Sequence, residues 1–331
     1  MADGHDALLV SVARMYYLDG MGQSEIASIF GVSRSTVSRL LTTAREKGIV
    51  RISVDEYDPL DHELERRLID RFGLRHAIVV RSVEGQVANV RRAVGYFAAP
   101  VVAQWISAAG SVGVAGGRTI GQLIHFMEPQ QHADHLDVVQ LMGTVGSTPS
   151  SADASELSRT LARRYQGSFH TINAPAFMDD PKSRDVLLSH GQMRSVWDMF
   201  PKLDMALVGI GTLEDSVFAE RRVLADQDAD TLRAQGAVGE ICGRFFDMHG
   251  QECRSSLQDR VIGVDLETLR AGKDVIAITA GRTRAAAIRV ALASGLVRSL
   301  VIDDGGAEAV LAGAPVSMGS HIPERAQAST S

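Results

Sequence analysis

Residues 15–54 read MYYLDGMGQSEIASIFGVSRSTVSRLLTTAREKGIVRISV, and this stretch predicts how the N-terminal part of the chain folds. The segment QSEIASIF, from Gln23, has apolar side chains on one helical face, and Gly31 then interrupts the pattern. A second amphipathic helix follows Ser33, which is placed to cap it, and Gly48 ends it. Two short helices separated by a tight, glycine-containing turn predict a helix-turn-helix.

The second of these helices begins with arginines and short hydrogen-bonding side chains, at the positions that face base edges and phosphates in a DNA major groove. Gln23, at the start of the preceding helix, is suited to a phosphate contact. Residues 21–54 hold five basic and two acidic side chains, although the whole chain has a formal net charge of −6. A merely solvated helical hairpin and a protein-binding winged helix are the alternatives. The predicted contacts to double-stranded operator DNA are Gln23, Ser33, Arg34, Ser35, Thr36, Ser38 and Arg39.

The length of 331 residues favours two domains. Residues 49–54, IVRISV, alternate apolar and polar side chains and predict a short strand or wing. The charged helical run HELERRLIDRFG from His62 predicts a helix that links two domains. The predicted segments are a helix-turn-helix domain over 1–55, a linker helix over 56–72, an effector domain over 73–322 and a disordered tail over 323–331.

Several classes of protein are excluded by composition. No run approaches about 18 apolar residues, and the N-terminus lacks the basic and apolar regions of a signal peptide, so we expect a cytoplasmic protein with no membrane partner. The two cysteines, Cys242 and Cys253, have no metal-ligand spacing. We therefore expect no metal site and no other cofactor.

The rest of the chain alternates short apolar runs with amphipathic helical stretches. The apolar runs include SVGVA from Ser111, MALVGIG from Met205 and DVIAIT from Asp274, and Val87–Ser107 is one of the helical stretches. Near-continuous apolar strands separated by helices predict a Rossmann-like, mostly parallel sheet covered on both faces. The predicted fold class is α/β, with an all-α (winged) helix-turn-helix before this effector domain.

Ligands of such sheets bind outside the carboxyl ends of the strands, and three predicted strand ends carry suitable residues. GGRT opens a helix after SVGVA, where glycines permit close backbone approach and a helix N-terminus favours an anion. AGRTR follows DVIAIT in the same way. Its Arg284 is either a donor to the ligand or only a surface arginine at the start of a helix. GIGT forms a pocket wall or simply a tight turn, and the residues after VVQLMG, including Ser151, can close the site. The candidates are Gly116, Gly117, Arg118, Thr119, Gly143, Thr144, Asp153, Gly209, Gly211, Gly281 and Arg284.

These motifs together resemble the SorC/DeoR-type family of sugar-responsive transcription regulators. Residues 15–54 are similar to the N-terminal block of that family, with Gly22 where the family usually has Ser or Thr. The similarity covers nearly the whole chain, which makes it specific. Further similar blocks are GSVGVAGGRTIGQL from Gly110, VVQLMG from Val138, NAPAFMDD from Asn173, DMALVGIGTL from Asp204, GAVGEICGRFFD from Gly236 and VIAITAGRTRAAAIRVAL from Val275.

The resemblance implies an effector domain with a sugar-phosphate-isomerase-like fold that binds a small carbohydrate and assembles as a tetramer. It implies that Glu240 accepts hydrogen bonds from sugar hydroxyls, and Asp247 in the same block is a further candidate. The family commonly has a phosphate-contacting lysine at the position of Arg284, and an arginine keeps the charge and can bind phosphate bidentately. A phosphorylated sugar or sugar alcohol is therefore the first expectation, and a free polyol or sugar is the alternative.

We predict a repressor of carbohydrate or polyol catabolism genes. An isomerase is the alternative of another class, but isomerisation needs a positioned general base and no recognised catalytic cluster occurs in the sequence. Two DNA-binding heads on one palindromic operator require a homo-oligomer, either a dimer or a tetramer. Binding of the effector would change how the subunits pack and so change the affinity for DNA.

Overall fold

The computed structural model describes residues 2–52, 57–81, 85–128 and 135–313. The chain divides into two compact units, Met1–Asp58 and Pro59–Ser331, and each unit is described by itself. The tail predicted to be disordered, over residues 323–331, lies outside the described residues.

The first unit is a small bundle of helices whose apolar faces meet. Val12, Ile26, Val37 and Leu41 are buried together at its centre. The second and third helices and the turn between them form the helix-turn-helix that the sequence predicts. The helices are α1 (Ala2–Tyr17), α2 (Gln23–Phe30) and α3 (Arg34–Glu46).

The start of α3 agrees with the sequence, whereas the segment after it does not. The Ser33 side chain accepts a hydrogen bond from the backbone N–H of Thr36 at 3.1 Å, so Ser33 caps α3 as predicted. Residues 49–52 form no strand: the N–H of Val50 donates to the carbonyl of Ala44 at 3.1 Å, which folds the chain back onto the end of α3. The predicted strand or wing is therefore wrong for residues 49–52, and the last two residues of that stretch lie outside the described part of the chain.

A seven-stranded sheet in which every strand pair is parallel forms the centre of the second unit. The strands of this sheet, and the two strands of a separate antiparallel hairpin (β6 and β7), are β1 (His76–Val80), β2 (Ser111–Val114), β3 (Asp137–Gln140), β4 (Ser168–His170), β5 (Met205–Val208), β6 (Gly239–Ile241), β7 (Arg244–Phe246), β8 (Val275–Ile278) and β9 (Ser299–Asp303). The strand order is β1-β9-β8-β5-β2-β3-β4. Read from β4, this is the doubly wound order of a Rossmann fold with β1 added at the far edge, which confirms the predicted fold class.

Helices connect the strands and bury the sheet in one continuous apolar core. Each of the four residues of β5 and of β8 is buried, as the apolar sequences MALV and VIAI predict for central parallel strands. The helices are α4 (His62–Phe72), α5 (Val87–Ser107), α6 (Arg118–Phe126), α7 (Ala154–Tyr165), α8 (Pro181–Ser189), α9 (Gly191–Trp197), α10 (Val217–Glu220), α11 (Asp226–Ala234), α12 (Leu266–Ala271), α13 (Ala285–Ala293) and α14 (Asp304–Ala312); short 3-10 turns span Phe200–Lys202 and Gln258–Arg260.

The helix α4, which the sequence predicts as a linker within residues 56–72, packs inside the second unit. Leu64 and Leu68 are buried in the core of that unit, and the Asp61 side chain caps the helix by accepting from the N–H of Leu64 at 3.0 Å. Most charged residues of HELERRLIDRF are exposed, whereas Glu65 is largely buried and accepts from the N–H of Val79 at 3.0 Å. Because the charged residues outnumber the apolar ones, the narrow apolar stripe was not apparent from the sequence. The observed helix is therefore an integral part of the effector domain.

The neighbouring strands β2 and β5 mark the point where the chain changes its direction of winding. From β2 the chain proceeds to β3 and β4 on one side, and from β5 it proceeds to β8 and β9 on the other. Connections that leave a sheet in opposite directions leave a crevice at the carboxyl ends of the two strands. The candidate site lies in this crevice.

Candidate functional site

A cleft opens beyond the carboxyl ends of β2 and β5, and its volume is about 920 Å³ when the space open to solvent is included. It brings together most of the residues that the sequence predicted as one effector site, although these residues come from distant parts of the chain. The predicted residues that line the cleft are Gly116, Gly117, Arg118, Thr119, Gly143, Asp153, Gly209, Gly211, Glu240 and Arg284.

One side of the cleft carries arginines that are paired with carboxylates. The Nε and Nη2 atoms of Arg284 donate to the two oxygens of the Asp215 carboxylate at 2.9 and 2.7 Å. Arg118 Nη2 lies 3.9 Å from Asp215 Oδ1, and Arg118 Nη1 lies 3.4 Å from Glu220 Oε2. Burial, together with the nearby charges of Arg118 and Arg284, holds the pKa of Arg91 below its usual range. Guanidinium groups from three different elements therefore face a single region of the cleft.

The carboxylate of Asp215 lies at the point where Arg118 and Arg284 meet. Hydrogen bonds from Arg284 keep the pKa of Asp215 below its usual range, and the Thr283 hydroxyl adds a donor at 3.2 Å. A bidentate pair of this kind is the geometry in which an arginine also binds a phosphate. The cluster is thus built to hold an anion, and an internal carboxylate occupies it.

The N-terminus of α6 forms a second anion-attracting feature of the cleft. Gly117 precedes the helix, and the first turn of α6 contains Arg118 and Thr119, both of which line the cleft. Gly116 lies close to the segment before α7: a Cβ on Gly116 would be 3.2 Å from the carbonyl oxygen of Ala152, which leaves little room for a side chain. Backbone N–H groups at a helix N-terminus favour negative charge, as the sequence analysis anticipated.

Glu240 forms the buried wall of the cleft. The residue is 6% exposed, and burial raises the pKa of its carboxyl group to about 7 despite a hydrogen bond from the N–H of Gly243 and the charge of Arg284. A backbone bridge to Gly211 attaches the β6–β7 hairpin to the loop after β5 and so fixes the position of Glu240. Its carboxyl group can accept hydrogen bonds from two hydroxyls, or donate one when it is protonated.

Asp153 lines the cleft beside Gly116 and is paired with Arg221, which directly follows α10. Arg221 Nη2 donates to Asp153 Oδ1 at 2.9 Å, and Arg221 Nη1 also donates to the carbonyl oxygens of Val145 and, at 3.2 Å, Thr148. The second oxygen of Asp153 accepts from the N–H of Ser150 at 2.7 Å. Asp153 is therefore held by the protein on both of its oxygens.

Three predicted site residues do not line this cleft. Thr144 pairs through its backbone with Pro175, Asp247 accepts hydrogen bonds from the N–H groups of His249 and Gln251 in its own turn, and Gly281 donates its N–H to Asp303. Each follows a strand or lies near one, as the prediction required, but each contributes to a local turn or bridge. Proximity to a strand end alone could not separate them from the residues that line the cleft.

Four charged residues of the cleft were not predicted from the sequence. Arg91 lies on α5, among residues with helical periodicity, and Asp215 lies in the loop after β5. Glu220 ends the short helix α10 and Arg221 follows it directly, and this helix was not predicted from the sequence. A search for charged residues in the segments that immediately follow a predicted strand end could have found the three after β5. The missed residues are Arg91, Asp215, Glu220 and Arg221.

The predicted DNA-reading residues fall into three groups on the first unit. Arg34, Ser35, Ser38 and Arg39 are exposed on α3 and available to a partner. The Ser33 hydroxyl instead serves the helix start, where its Oγ lies 2.7 Å from that of Ser35 and 2.9 Å from Oγ1 of Thr36.

Gln23 and Thr36 are only partly exposed, at the first turns of α2 and α3. The predicted DNA contacts of all three groups stay predictions.

A helix-turn-helix followed by a parallel α/β domain with a polar cleft at its switch point defines a ligand-responsive, DNA-binding regulator. The chain matches the family model described as "Putative sugar-binding domain" over residues 60–312, and a model for region 4 of sigma-70 over residues 11–47. This protein belongs to the SorC/DeoR-type family of transcription regulators that carry the sugar-binding domain, as the resemblance indicated.

Named relatives extend over both units. The chain is 30% identical to the deoxyribonucleoside regulator of Bacillus subtilis (strain 168), over 92% of this chain and 97% of that protein. It is 32% identical to the transcriptional regulator YjhU of Escherichia coli (strain K12), over 90% and 92% of the two chains. The crystal structure of the full-length sorbitol operon regulator SorC from Klebsiella pneumoniae superposes with a TM-score of 0.74 at 28% identity, covering 92% of this chain and 98% of that one.

These relatives are named as regulators, which confirms the prediction that the chain is a transcription regulator and not an enzyme. No helix among the described residues is long and apolar enough to cross a membrane. Within the same residues, no group of three or more His, Cys, Asp or Glu side chains is arranged to hold a metal ion.

Proposed function

We propose that this regulator represses genes for carbohydrate or polyol catabolism and that a phosphorylated sugar or sugar alcohol, bound in the cleft, releases it from operator DNA. One observation carries the choice of an anionic effector: Arg118 and Arg284 converge on the same oxygen atom, Asp215 Oδ1, at 3.9 and 2.7 Å. If the two guanidinium groups pointed apart into solvent, the proposal of a phosphorylated effector would lack its main support.

The rest of the cleft suits the two parts of such a molecule. The phosphate would lie between Arg284 and the N-terminus of α6, where Arg118 and the backbone N–H groups supply donors. The carbohydrate part would extend toward Glu240, whose buried carboxyl group can bond two neighbouring hydroxyls. The names of two relatives agree with the carbohydrate part of this molecule, since one is a deoxyribonucleoside regulator and another a sorbitol operon regulator, but neither name includes a phosphate.

A free polyol or sugar is the second candidate, and one observation favours it. The fork of Arg284 is already satisfied by Asp215, so the cleft as it stands offers carboxyl oxygens of Asp215 and Glu240 to hydroxyl groups. A neutral ligand would leave that ion pair intact and would need no displacement.

The proposed response is allosteric and requires more than one copy of the chain. A palindromic operator presents two half-sites about one helical turn (~34 Å) or a multiple of it apart, so two heads must be joined in a dimer or tetramer. An effector that binds the DNA-free state more tightly shifts the equilibrium toward it, with a coupling of typically about 1–3 kcal/mol. The exposed side chains of α3 would supply the contacts to bases and phosphates.

A gel-shift experiment tests this proposal. DNA from beside the protein's own gene is titrated with the protein, and a panel of sugars, polyols and their phosphates is then added. We expect one phosphorylated compound to release the DNA from the wild type, but not from Arg284→Ala.

Arg282→Ala is the matched control, because Arg282 is two residues away, pairs with Glu308 and does not line the cleft. Release by a neutral polyol alone would select the second candidate. Absence of DNA binding at low salt would contradict the regulator proposal as a whole.

A further inference from the structure

Asp215 occupies the position that a phosphate needs in order to reach Arg284. We infer that Asp215 is an internal competitor for the effector: its carboxylate fills the guanidinium fork in the free protein, and the phosphate group of the effector displaces it. This inference rests on the proposed function, because it names how the anionic part of the effector is selected at the same site.

The geometry leaves no shared position for the two anions. Arg284 uses both its Nε and its Nη2 on Asp215, at 2.9 and 2.7 Å, so the edge of the guanidinium that binds a phosphate bidentately is occupied. Thr283 also donates to the same carboxylate, at 3.2 Å. A phosphate that bonds to this edge must therefore replace the carboxylate oxygens of Asp215.

The charges around Asp215 favour replacement by another anion over simple loss of the carboxylate. The positive charges of Arg118 and Arg284 lower the pKa of Arg91. The carboxylates of Asp215 and Glu220 act in the opposite direction. Moving Asp215 away leaves Arg284, whose side chain is only 13% exposed, without its counter-charge. Because an unpaired charge in that position is costly, a dianionic phosphate can displace Asp215 and a neutral polyol cannot.

The displaced carboxylate can move without unfolding its surroundings. The Asp215 side chain is 38% exposed, and the loop that carries it is held by other bonds, since the N–H of Asp215 donates to the Thr212 hydroxyl at 3.0 Å. The chain continues directly into α10 and Arg221, which donates to Asp153 in the lining of the cleft. The exchange of anions therefore acts on a segment that also holds Asp153 in place.

Inorganic phosphate is the probe for the test, because it carries the anion without any sugar. Its affinity for the full-length wild type, Asp215→Asn and Glu214→Gln is measured by isothermal titration calorimetry at constant ionic strength. Glu214→Gln removes the same charge from the exposed neighbouring residue, which does not line the cleft. We expect Asp215→Asn to bind phosphate about tenfold or more tightly than the wild type, since the cost of opening the ion pair is gone. Glu214→Gln should stay close to the wild type.

The double variant Asp215→Asn/Arg284→Gln separates failure of this inference from failure of the proposed function. If Asp215→Asn binds phosphate as the wild type does or more weakly, and the double variant loses binding, then the anion site exists but Asp215 is not a competitor. If no protein binds phosphate at millimolar concentrations, the anion site itself fails and with it the phosphorylated effector. If Asp215→Asn does not fold, Asp215→Ser is measured in the same way. As a second readout, we expect phosphate to raise the Tm of the Asp215 variant more than it raises the Tm of the wild type.

Discussion

Gly211 and Glu240 are in such close contact that a Cβ atom on Gly211 would lie 2.7 Å from Glu240 Oε2. Their backbones also exchange two hydrogen bonds, each of 2.9 Å, and these bonds hold the β6–β7 hairpin at the end of β5. The absence of a side chain at residue 211 therefore sets the position of the buried carboxyl group in the cleft.

Gly211→Ala should impair the response to effector and lower stability. The new methyl group would also meet Ser216 Cβ at 2.8 Å, so the hairpin or the loop after β5 must shift, at a cost of about 1–3 kcal/mol. Urea unfolding and effector-dependent DNA release measure the two effects. Gly191→Ala is the control, because a Cβ there would have no neighbour within 4 Å. Wild-type stability and release in Gly211→Ala would show that Glu240 needs no fixed position.

Arg39→Ala should weaken binding to operator and non-operator DNA alike. Arg39 is exposed on α3 beside the serines of the helix start, and a contact between its guanidinium and a phosphate would release one counterion. We expect the slope of log K against log salt to decrease by about 1. Fluorescence anisotropy over a series of salt concentrations measures this slope.

Arg14→Ala, an equally exposed arginine on α1, is the comparison for Arg39→Ala. An unchanged slope in Arg39→Ala, or the same decrease in both variants, would exclude a specific role for α3 at this residue.

Leu68→Ala tests whether α4 is part of the effector domain. Leu68 is fully buried in the large core, so truncation to alanine should lower the free energy of unfolding by about 2–5 kcal/mol. The neighbouring Arg67→Ala, on the exposed face of the same helix, should change it by less than about 0.5 kcal/mol. A helix that merely joined two domains would give similar small changes for both substitutions in urea unfolding.

The sheet could be predicted from the sequence because its central strands are short, continuous apolar runs, as in MALV at Met205 and VIAI at Val275. The strands β4, β6 and β7 were not predicted, since each has only three residues and such runs give no period. The hairpin in particular forms because its turn places Cys242 at a φ of 53° and Gly243 at 82°. That turn was not apparent from the sequence.

The candidate site was predictable to the extent that it follows from the strand ends. Gly116, Gly209 and Arg284 could be found because every parallel strand brings its carboxyl end to the same edge. Arg91 could not be found in this way, since it reaches the cleft from the first turns of the long helix α5 and not from a strand end. Asp215 belongs to no motif, and only the folded chain brings it to Arg284.

The stability of the wild type should depend on pH through Glu240. Burial raises the pKa of its carboxyl group from 4.5 to about 7 in the folded protein. As the pH rises, the unfolded chain therefore loses this proton before the folded protein does. The protonated carboxyl group stabilises the folded protein at low pH, and this contribution is lost between about pH 4.5 and 7. Relative to Glu240→Gln, which cannot ionise, the free energy of unfolding of the wild type should fall by about 3 kcal/mol across this range.

Urea unfolding of both proteins at intervals between pH 4.5 and 8 measures that difference, and only the difference matters because other groups titrate equally in both. Asp247→Asn provides a second comparison, since Asp247 lies in the turn after the same hairpin and outside the cleft. A difference between the wild type and Glu240→Gln that stays constant with pH would mean that Glu240 ionises normally. The hydrogen bond from the N–H of Gly243 and the charge of Arg284 would then offset the effect of burial, and Glu240 would be an ionised acceptor in the cleft at neutral pH.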